Sequence, residues 1–472
     1  MEILTTAQMY GADKETNAKI VPELQLMENA GFAAACRIAR NYSKRPVTVL
    51  CGTGNNGGDG FVVARILQNW GWPAEVALVG EEKKLSPAAA LNAKRFKGVI
   101  RPPSFNRLKK MEKSGGLFID AVFGIGLTRP IENDIADFFN ALNETSLPCV
   151  ALDIPSGIQA DTGRILGTAP FCDMTITFCR PKIGHFLYPG KERTGRLIVC
   201  PIGIPDEFVA HQMPHCYENT PDLFHIPAPT PYDHKYSRGA VLVCAAEMTG
   251  AARLAAAAAR RAGAGWVAVS CESKTEQTFT TADPGFVIQA ADTTEEIEKQ
   301  INTSNAGAFV IGMGALKTER TKALLHSIAK SKKPFVADAG ALPFIKGIKK
   351  DLSRAVITPH AGEFRRLFPD LEEQDKLTQA LNAAAALNCT VVLKGADTVI
   401  AAPDGRAALN STDSFDLSTA GSGDVLDGII GAMLAKGLKP FEAACAGVWL
   451  HSRAAETAGE NLIAEDLIAC LK

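Results

Sequence analysis

The chain has no Cys-x-x-Cys pair among its twelve cysteines, so neither a zinc ribbon nor a dithiol redox motif is written into it. Scattered thiols of this kind suit a reducing compartment better than a disulfide framework. There is no surplus of either charge: 50 Lys plus Arg stand against 51 Asp plus Glu, a net charge of -1, which leaves no basic field to collect nucleic acid or anionic lipid. There is no long hydrophobic run either. The most apolar stretch, 254–269, is cut by Arg260 and Arg261 and is too short to span a bilayer. The opening residues Met1 to Ala7 lack the basic flank and apolar core of a secretory signal. His211, His215 and Cys216 lie together, but in a Pro-flanked segment without a second ligand pair, which fits a surface connection better than a metal site. A soluble, intracellular protein is therefore expected of this chain of 472 residues, 46% hydrophobic, with two domains as the default count.

The stretch richest in chemistry is Ser418-Thr419-Ala420-Gly421-Ser422-Gly423-Asp424, followed directly by the apolar run Val425-Leu426-Asp427-Gly428-Ile429-Ile430. Small residues let the backbone turn tightly, and the apolar run reads as a buried helix whose first amides point into the turn. An anion site with a carboxylate inside it suits phosphoryl chemistry on a hydroxyl. The same residues also fit a plain helix cap, with Asp424 offsetting the dipole.

In the first half, Met1 to about Arg40 reads as two helices. Val47 to Cys51 is strand-like and opens into Gly52-Thr53-Gly54-Asn55-Asn56-Gly57-Gly58-Asp59-Gly60, with a helix expected over 61–70 and a strand over 74–79. This is a strand, loop, helix, strand unit with its Gly-rich loop where open α/β sheets bind ligands. Gly52, Gly54 and Gly57 fit a dinucleotide pattern, with Glu81 and Glu82 as possible ribose acceptors. Asn55, Asn56 and Asp59 instead offer hard oxygen ligands for a cation, or an Asx-rich turn that bonds to itself. Two further apolar strands end in Asp before a turn: one at Asp120, ahead of Ala121 to Pro130, and one at Asp153, ahead of Ile154-Pro155-Ser156-Gly157. In a parallel sheet both would converge on the Asn-rich loop. Lys182, after the strand 175–178, would make an acid/base pair if it faced Asp153, although a solvated lysine is the commoner case.

The set Gly-Asn-Asn-Gly-Gly-Asp-Gly, Asp-Ala-Val-Phe-Gly-Ile-Gly-Leu, Asp-Ile-Pro-Ser-Gly and Pro-Lys-Ile-Gly resembles the NAD(P)H-hydrate epimerase family. That resemblance implies a Rossmann-like three-layer sandwich that binds damaged cofactor without hydride transfer. It further implies substrate contacts from Asn55, Asn56, Gly57, Gly58 and Asp59, from Gly124, Ile125, Gly126, Leu127, Thr128, Arg129 and Pro130, and from Asp153. A potassium ion would be held by Asn56, Asp120 and Ser156. Asp153 would be the acid/base at the hydroxylated ring carbon, with Lys182 as helper.

From Pro201 to Tyr236 seven prolines and no clear periodicity read as a connection laid over a surface, with the boundary between about 210 and 225. The expected domains are 1–215 and 225–472. Beyond the join, strands are expected at 240–244, 266–269, 309–311, 335–337, 355–357, 391–393 and 399–402, with an Ala-rich helix opening at Met248-Thr249-Gly250-Ala251. His360 alone reads as a helix cap, and Lys394 as a phosphate neutraliser or a solvated strand-end lysine.

Lys394-Gly395-Ala396-Asp397-Thr398 with the Gly421 to Asp424 loop resembles the ribokinase-like α/β fold. The closer resemblance, through His234-Lys235-Tyr236, Met248 to Ala251, Ile357 to Glu363 and Leu393 to Ala396, is to the ADP- or ATP-dependent NAD(P)H-hydrate dehydratase family. The order of the two matches is that of the bifunctional nicotinamide nucleotide repair family. By that resemblance Lys394, Gly395, Ala396, Asp397, Thr398 and Gly423 hold the adenine nucleotide with magnesium, and Ala251, Gly314, His360 and Asp424 contact the hydrate. It also implies a cytoplasmic enzyme, a homo-oligomer, whose substrates are the NADH and NADPH hydrates with ADP or ATP. The chain departs from the family at Cys244-Ala245-Ala246-Glu247, where Glu247 brings a negative charge near the expected substrate, at Gly312-Met313-Gly314, and at Ala339-Gly340 after Asp338. A ribokinase-like kinase fused to a binding domain, and a non-catalytic nucleotide sensor, are the rival readings.

Overall fold

The computed structural model describes residues 1–281, 283–348, 351–411 and 415–471. The chain forms two compact units, Met1–Cys216 and Tyr217–Lys472. In the first, the strands Val47–Cys51 (β1), Ala74–Leu78 (β2), Ile100–Arg101 (β3), Leu117–Ala121 (β4), Cys149–Leu152 (β5), Met174–Phe178 (β6) and Arg196–Cys200 (β7) form one parallel sheet. Its order is β3-β2-β1-β4-β5-β6-β7. Parallel strands covered on both faces are predominantly apolar, and β1, β2, β4, β5 and β6 are buried along their whole length. The sheet reverses between β1 and β4, the place where open α/β sheets leave a crevice.

The two expected N-terminal helices form, as Thr6–Lys19 and Glu23–Asn41. The next helix does not start at 61. It runs Asn55–Asn69 and takes the Gly-rich stretch into its first turns. Glycine is a poor helix former, but here the lack of a side chain is required: a Cβ on Gly57 would lie 1.9 Å from the Gly52 carbonyl oxygen, and one on Gly58 2.5 Å from Met27 Cε. The segment 201–236 is also more structured than its prolines suggest. Helix Asp206–His211 folds into the first unit and buries Phe208 and Val209, and His211 pairs with Glu15 at 3.1 Å.

The second unit carries Ala240–Cys244 (β8), Trp266–Cys271 (β9), Val287–Ala290 (β10), Ala308–Ile311 (β11), Phe335–Ala337 (β12), Ala355–Ile357 (β13), Thr390–Leu393 (β14), Val399–Ala401 (β15) and Ala407–Leu409 (β16). They are ordered β16-β15-β14-β13-β12-β11-β8-β9-β10, parallel except for the two antiparallel pairings at the β14-β15-β16 edge. Helices Thr249–Arg261 and Ser422–Ala435 pack closely enough that a Cβ on Gly428 would meet the Ala255 carbonyl oxygen at 2.1 Å. Both units are therefore α/β sandwiches, as expected. Among the described residues no helix is long and apolar enough to cross a membrane.

Phe139, in helix Asn133–Asn143, is fully buried in the layer over the first sheet with Phe118 and Phe138. Phe139→Ala is expected to destabilise the first unit by about 3–5 kcal/mol through lost transfer energy and the cavity left behind. The shift in its denaturant midpoint measures this.

Candidate active sites

A cavity of about 770 Å³ opens at the carboxyl ends of β1, β4, β5 and β6. Thr53, Gly54, Asn55, Asn56 and Asp59 line it after β1, Val122 to Arg129 after β4, Asp153 after β5, and Phe178 and Lys182 at and after β6. Gly57, Gly58 and Pro130 lie outside this lining, and so do Glu81 and Glu82. Glu81 is spent on Lys83 and Lys84, at 2.6 and 3.1 Å.

Asp153 follows β5 with φ 63°, a left-handed conformation that Asp tolerates better than most side chains. Its Oδ1 accepts from Lys182 Nζ at 2.7 Å and from Thr177 Oγ1 at 3.2 Å, and its Oδ2 from the Ile125 amide at 3.4 Å. Lys182 is 1% exposed and also donates to Thr177 Oγ1 and the Phe178 carbonyl, at 2.8 and 3.2 Å. It is no solvated lysine. Burial alone would raise the Asp153 carboxyl, but the Lys182 ammonium and the hydrogen bonds outweigh it and hold the group below its ordinary value.

Two other carboxylates of the cavity, Asp59 and Asp13, behave oppositely. Asp59 is pushed well above its ordinary value by burial and by Asp153 and Asp13. Asp13 is raised by burial to about 6. Neither carboxylate has a hydrogen-bond partner or an ion-pair partner among the described residues, and Lys182, whose charge lowers both, sits on Asp153. A second supporting residue is His185, whose Nδ1 accepts from the Lys182 amide at 3.0 Å while Nε2 lies 2.9 Å from the Asp153 carbonyl oxygen. Burial and Lys182 push it down to about 3, so the ring is neutral.

Asp120 is fully buried and accepts from the Ser156 amide and hydroxyl, both at 2.7 Å, and from the Val122 amide at 3.2 Å. Asn56 is 8% exposed, and neither its Oδ1 nor its Nδ2 has a partner. Asn55, by contrast, is tied to Glu23 and Ser86 at 3.0 Å each. Gly124 sits where a Cβ would be 3.1 Å from Asp153 Oδ2 and 3.3 Å from Asn56 Cβ. The sequence reading missed Asp13, Tyr10 and His185. Tyr10 and Asp13 come from the first helix, whose polar face gives no motif to read, and His185 is marked only by its spacing three residues after Lys182.

In the second unit the candidate residues gather at the carboxyl ends of β8, β11, β12, β13 and β14. Gly421 has φ 88°, and a Cβ there would meet Leu254 Cδ1 at 2.6 Å, so only glycine fits between the two helices. Gly314, at φ 62°, accepts from the Met248 amide at 3.1 Å, and a Cβ on it would be 3.0 Å from Ala251 Cβ. Glu247 accepts from the Leu316 amide at 3.0 Å, which binds the turn after β11 to the loop after β8. His360 caps helix Ala361–Leu367 through Nδ1, 3.0 Å from the Gly362 amide. Its neighbour Pro359 accepts from the Lys394 amide at 2.9 Å.

Lys394 Nζ donates to Asp338 Oδ2 at 2.9 Å. Burial disfavours its charge, yet Asp338 and Asp427 outweigh that and raise it above the ordinary lysine value. A Cβ on Gly423 would lie 3.3 Å from Nζ, so the ammonium stands against the glycine loop. Gly395 and Thr398 close a turn, with Thr398 Oγ1 donating to the Gly395 carbonyl at 2.8 Å, and Asp397 pairs with Lys376. Ala396 is exposed on that turn. Asp424 lies in the first turn of Ser422–Ala435, and burial and Asp338 push its carboxyl up to about 6.

Residues 23–184 match the family described as YjeF-related protein N-terminus, and residues 240–471 the family described as NAD(P)H-hydrate dehydratase. A bifunctional NAD(P)H-hydrate repair enzyme of Thermofilum pendens is 34% identical, over 98% of this chain and 93% of that protein. The enzyme of the same name from Escherichia coli is also 34% identical, over 95% and 88%. Among solved structures, the ADP/ATP-dependent NAD(P)H-hydrate dehydratase of Bacillus subtilis, co-crystallised with ATP and Mg2+, is 29% identical over 52% of this chain and 91% of its own, with TM-score 0.45.

Proposed function

The chain belongs to the bifunctional NAD(P)H-hydrate repair enzymes, and from that membership we propose that it returns hydrated NADH and NADPH to the reduced cofactor in two steps. The first unit interconverts the R and S hydrates. The second, over 225–472, dehydrates the S hydrate at the expense of ADP or ATP, releasing AMP or ADP with phosphate. The observation that carries the reading is that each unit sets a lysine and a carboxylate near one another at the ligand-binding end of a parallel sheet: the buried Lys182 is paired with Asp153, and the half-buried Lys394, paired with Asp338, acts on Asp424.

Hydroxide leaves poorly from a ring carbon at neutral pH, whereas phosphate leaves well. Asp424 takes the proton of the ring hydroxyl as its oxygen bonds to the terminal phosphorus and the bridging P–O bond breaks, with the amides of the glycine loop and Lys394 facing the charge. The ring nitrogen then expels phosphate, and loss of the neighbouring C–H proton restores the double bond. A magnesium ion would be held with the nucleotide's phosphates. When bound, it offsets their charge. In the first unit, Asp153 serves as acid/base at the hydroxylated carbon, oriented by Lys182 and Thr177.

The partnerless Asn56 amide, with Asp120 and Ser156, supplies the hard oxygens an alkali cation takes, which supports potassium there as added positive charge in an acidic cavity. Asn56→Ala is accordingly expected to raise the potassium concentration for half-maximal epimerisation at least tenfold, read by titrating KCl against a fixed concentration of an inert salt cation. All twelve cysteines are free thiols, which supports a cytoplasmic setting, and the exposed Phe32–Trp70 ring pair supports a homo-oligomer.

The test is recovery of reduced-nicotinamide absorbance from a mixture of both hydrates with potassium, magnesium and ADP or ATP. Complete recovery in two phases is the expected result. A stable phosphorylated product would favour the kinase reading, and tight binding without turnover the sensor reading.

A further inference from the structure

One buried acid has no place in the chemistry above. Asp427 is 0% exposed, three residues after Asp424 on the same helix face. Its Oδ1 accepts from Thr358 Oγ1 at 2.9 Å, while its Oδ2 is buried without a donor. Asp338, 4% exposed, has the matching gap: Oδ2 holds Lys394 Nζ at 2.9 Å and Oδ1 is buried without a donor. Two partnerless acceptor oxygens on neighbouring buried carboxylates satisfy each other only if one carries a proton, since two adjacent charges could not both stay ionised there.

We propose that Asp427 is a positioning residue for phosphoryl transfer: protonated on Oδ2, it donates to Asp338 Oδ1 and fixes the carboxylate that aims Lys394 at the glycine loop. This rests on the dehydratase reading of the second unit. The Asp427 carboxyl is pushed well above its ordinary value by burial and then by the neighbouring Asp338. The groups facing the pair are Lys394 after β14, Thr358 after β13 and Asp424 from its own helix. Beyond them are Glu363, which acts on Lys394, and the neutral His451 of helix Pro440–Ala458, lowered by burial to about 4. The arrangement separates the roles of the helix's two acids: Asp424 loses its proton near neutral pH and works on substrate, and Asp427 keeps its proton and works on Asp338.

An amide reproduces a protonated carboxyl here, because Asn Oδ1 can accept from Thr358 while Nδ2 donates to Asp338. Asp427→Asn is therefore expected to fold, to stay within about threefold of the parent in dehydration kcat/KM at neutral pH, and to lose the part of the alkaline decline that comes from the shared proton. Asp427→Ala, which leaves Asp338 Oδ1 without its donor, is expected to lose at least 30-fold, with the first unit's epimerisation unchanged in both variants. The assay uses the full-length protein, purified S hydrate and saturating ADP or ATP with magnesium across a pH series. An Asn variant that is unfolded, or as inactive as the Ala variant, overturns the proposal, and so does an alkaline limb that superimposes on the parent's. Inactivity of the parent itself would instead strike at the dehydratase reading.

Discussion

Asp424→Asn should lower nucleotide-dependent dehydration of the S hydrate about 10³–10⁴-fold, the upper range for loss of a general base, while the rate at which R and S hydrates interconvert stays at the parent's value. The amide has nearly the same shape and can still sit in the first helical turn, so the loss belongs to the proton-accepting oxygen rather than to the fold. The parent's pH profile provides the second check. Burial and Asp338 raise the Asp424 carboxyl to about 6 in the free protein, and the base form is the one that takes the hydroxyl proton. The dehydration kcat/KM is therefore expected to rise with pH through about 6, falling tenfold per unit well below, and to hold a plateau above it until the alkaline decline that loss of the proton shared by Asp427 and Asp338 brings. Single-turnover absorbance recovery on purified S hydrate measures both. A variant that retains more than a tenth of parental activity would remove Asp424 from the chemistry.

Much of this arrangement was legible in the sequence because parallel sheets leave a strong signature. Strands buried on both faces must be short apolar runs, and the polar residue that ends each run falls at the ligand-binding edge. Asp153 and Lys394 are legible that way, and the Gly421 to Asp424 loop by its small residues ahead of an apolar helical run. Where the reading failed, a local rule was overridden by close packing. Asn55 to Gly60 has the composition of a loop, yet it is the start of a helix, because glycines let the helix lie against the Gly52 turn and Met27. Asp427 went unread within an apolar run that correctly signalled a buried helix, although one Asp in such a run is the residue that most needs a partner. Asp13 left no trace, since its helix is polar on several sides and only the fold turns that face toward the cavity.

The second large effect is expected in the first unit, where two substitutions separate a lost base from a mistuned one. Asp153→Asn removes the carboxylate and should reduce epimerisation about 10²–10⁴-fold at every pH. Lys182→Met keeps the carboxylate but removes the ammonium 2.7 Å from Oδ1. Burial then acts on Asp153 with its main counterweight gone, beside Asp59 and Asp13, so its carboxyl moves upward and is protonated at neutral pH. Lys182→Met should thus be as slow as Asp153→Asn near neutrality and recover as pH rises, while Asp153→Asn does not recover. Dehydration of purified S hydrate should be untouched in both, since that chemistry is assigned to the other unit. The readout is the slow phase of absorbance recovery from mixed hydrates, corrected at each pH for spontaneous interconversion. If Lys182→Met stays flat and slow across the series, the lysine itself moves the proton, and Asp153 is the group that orients it.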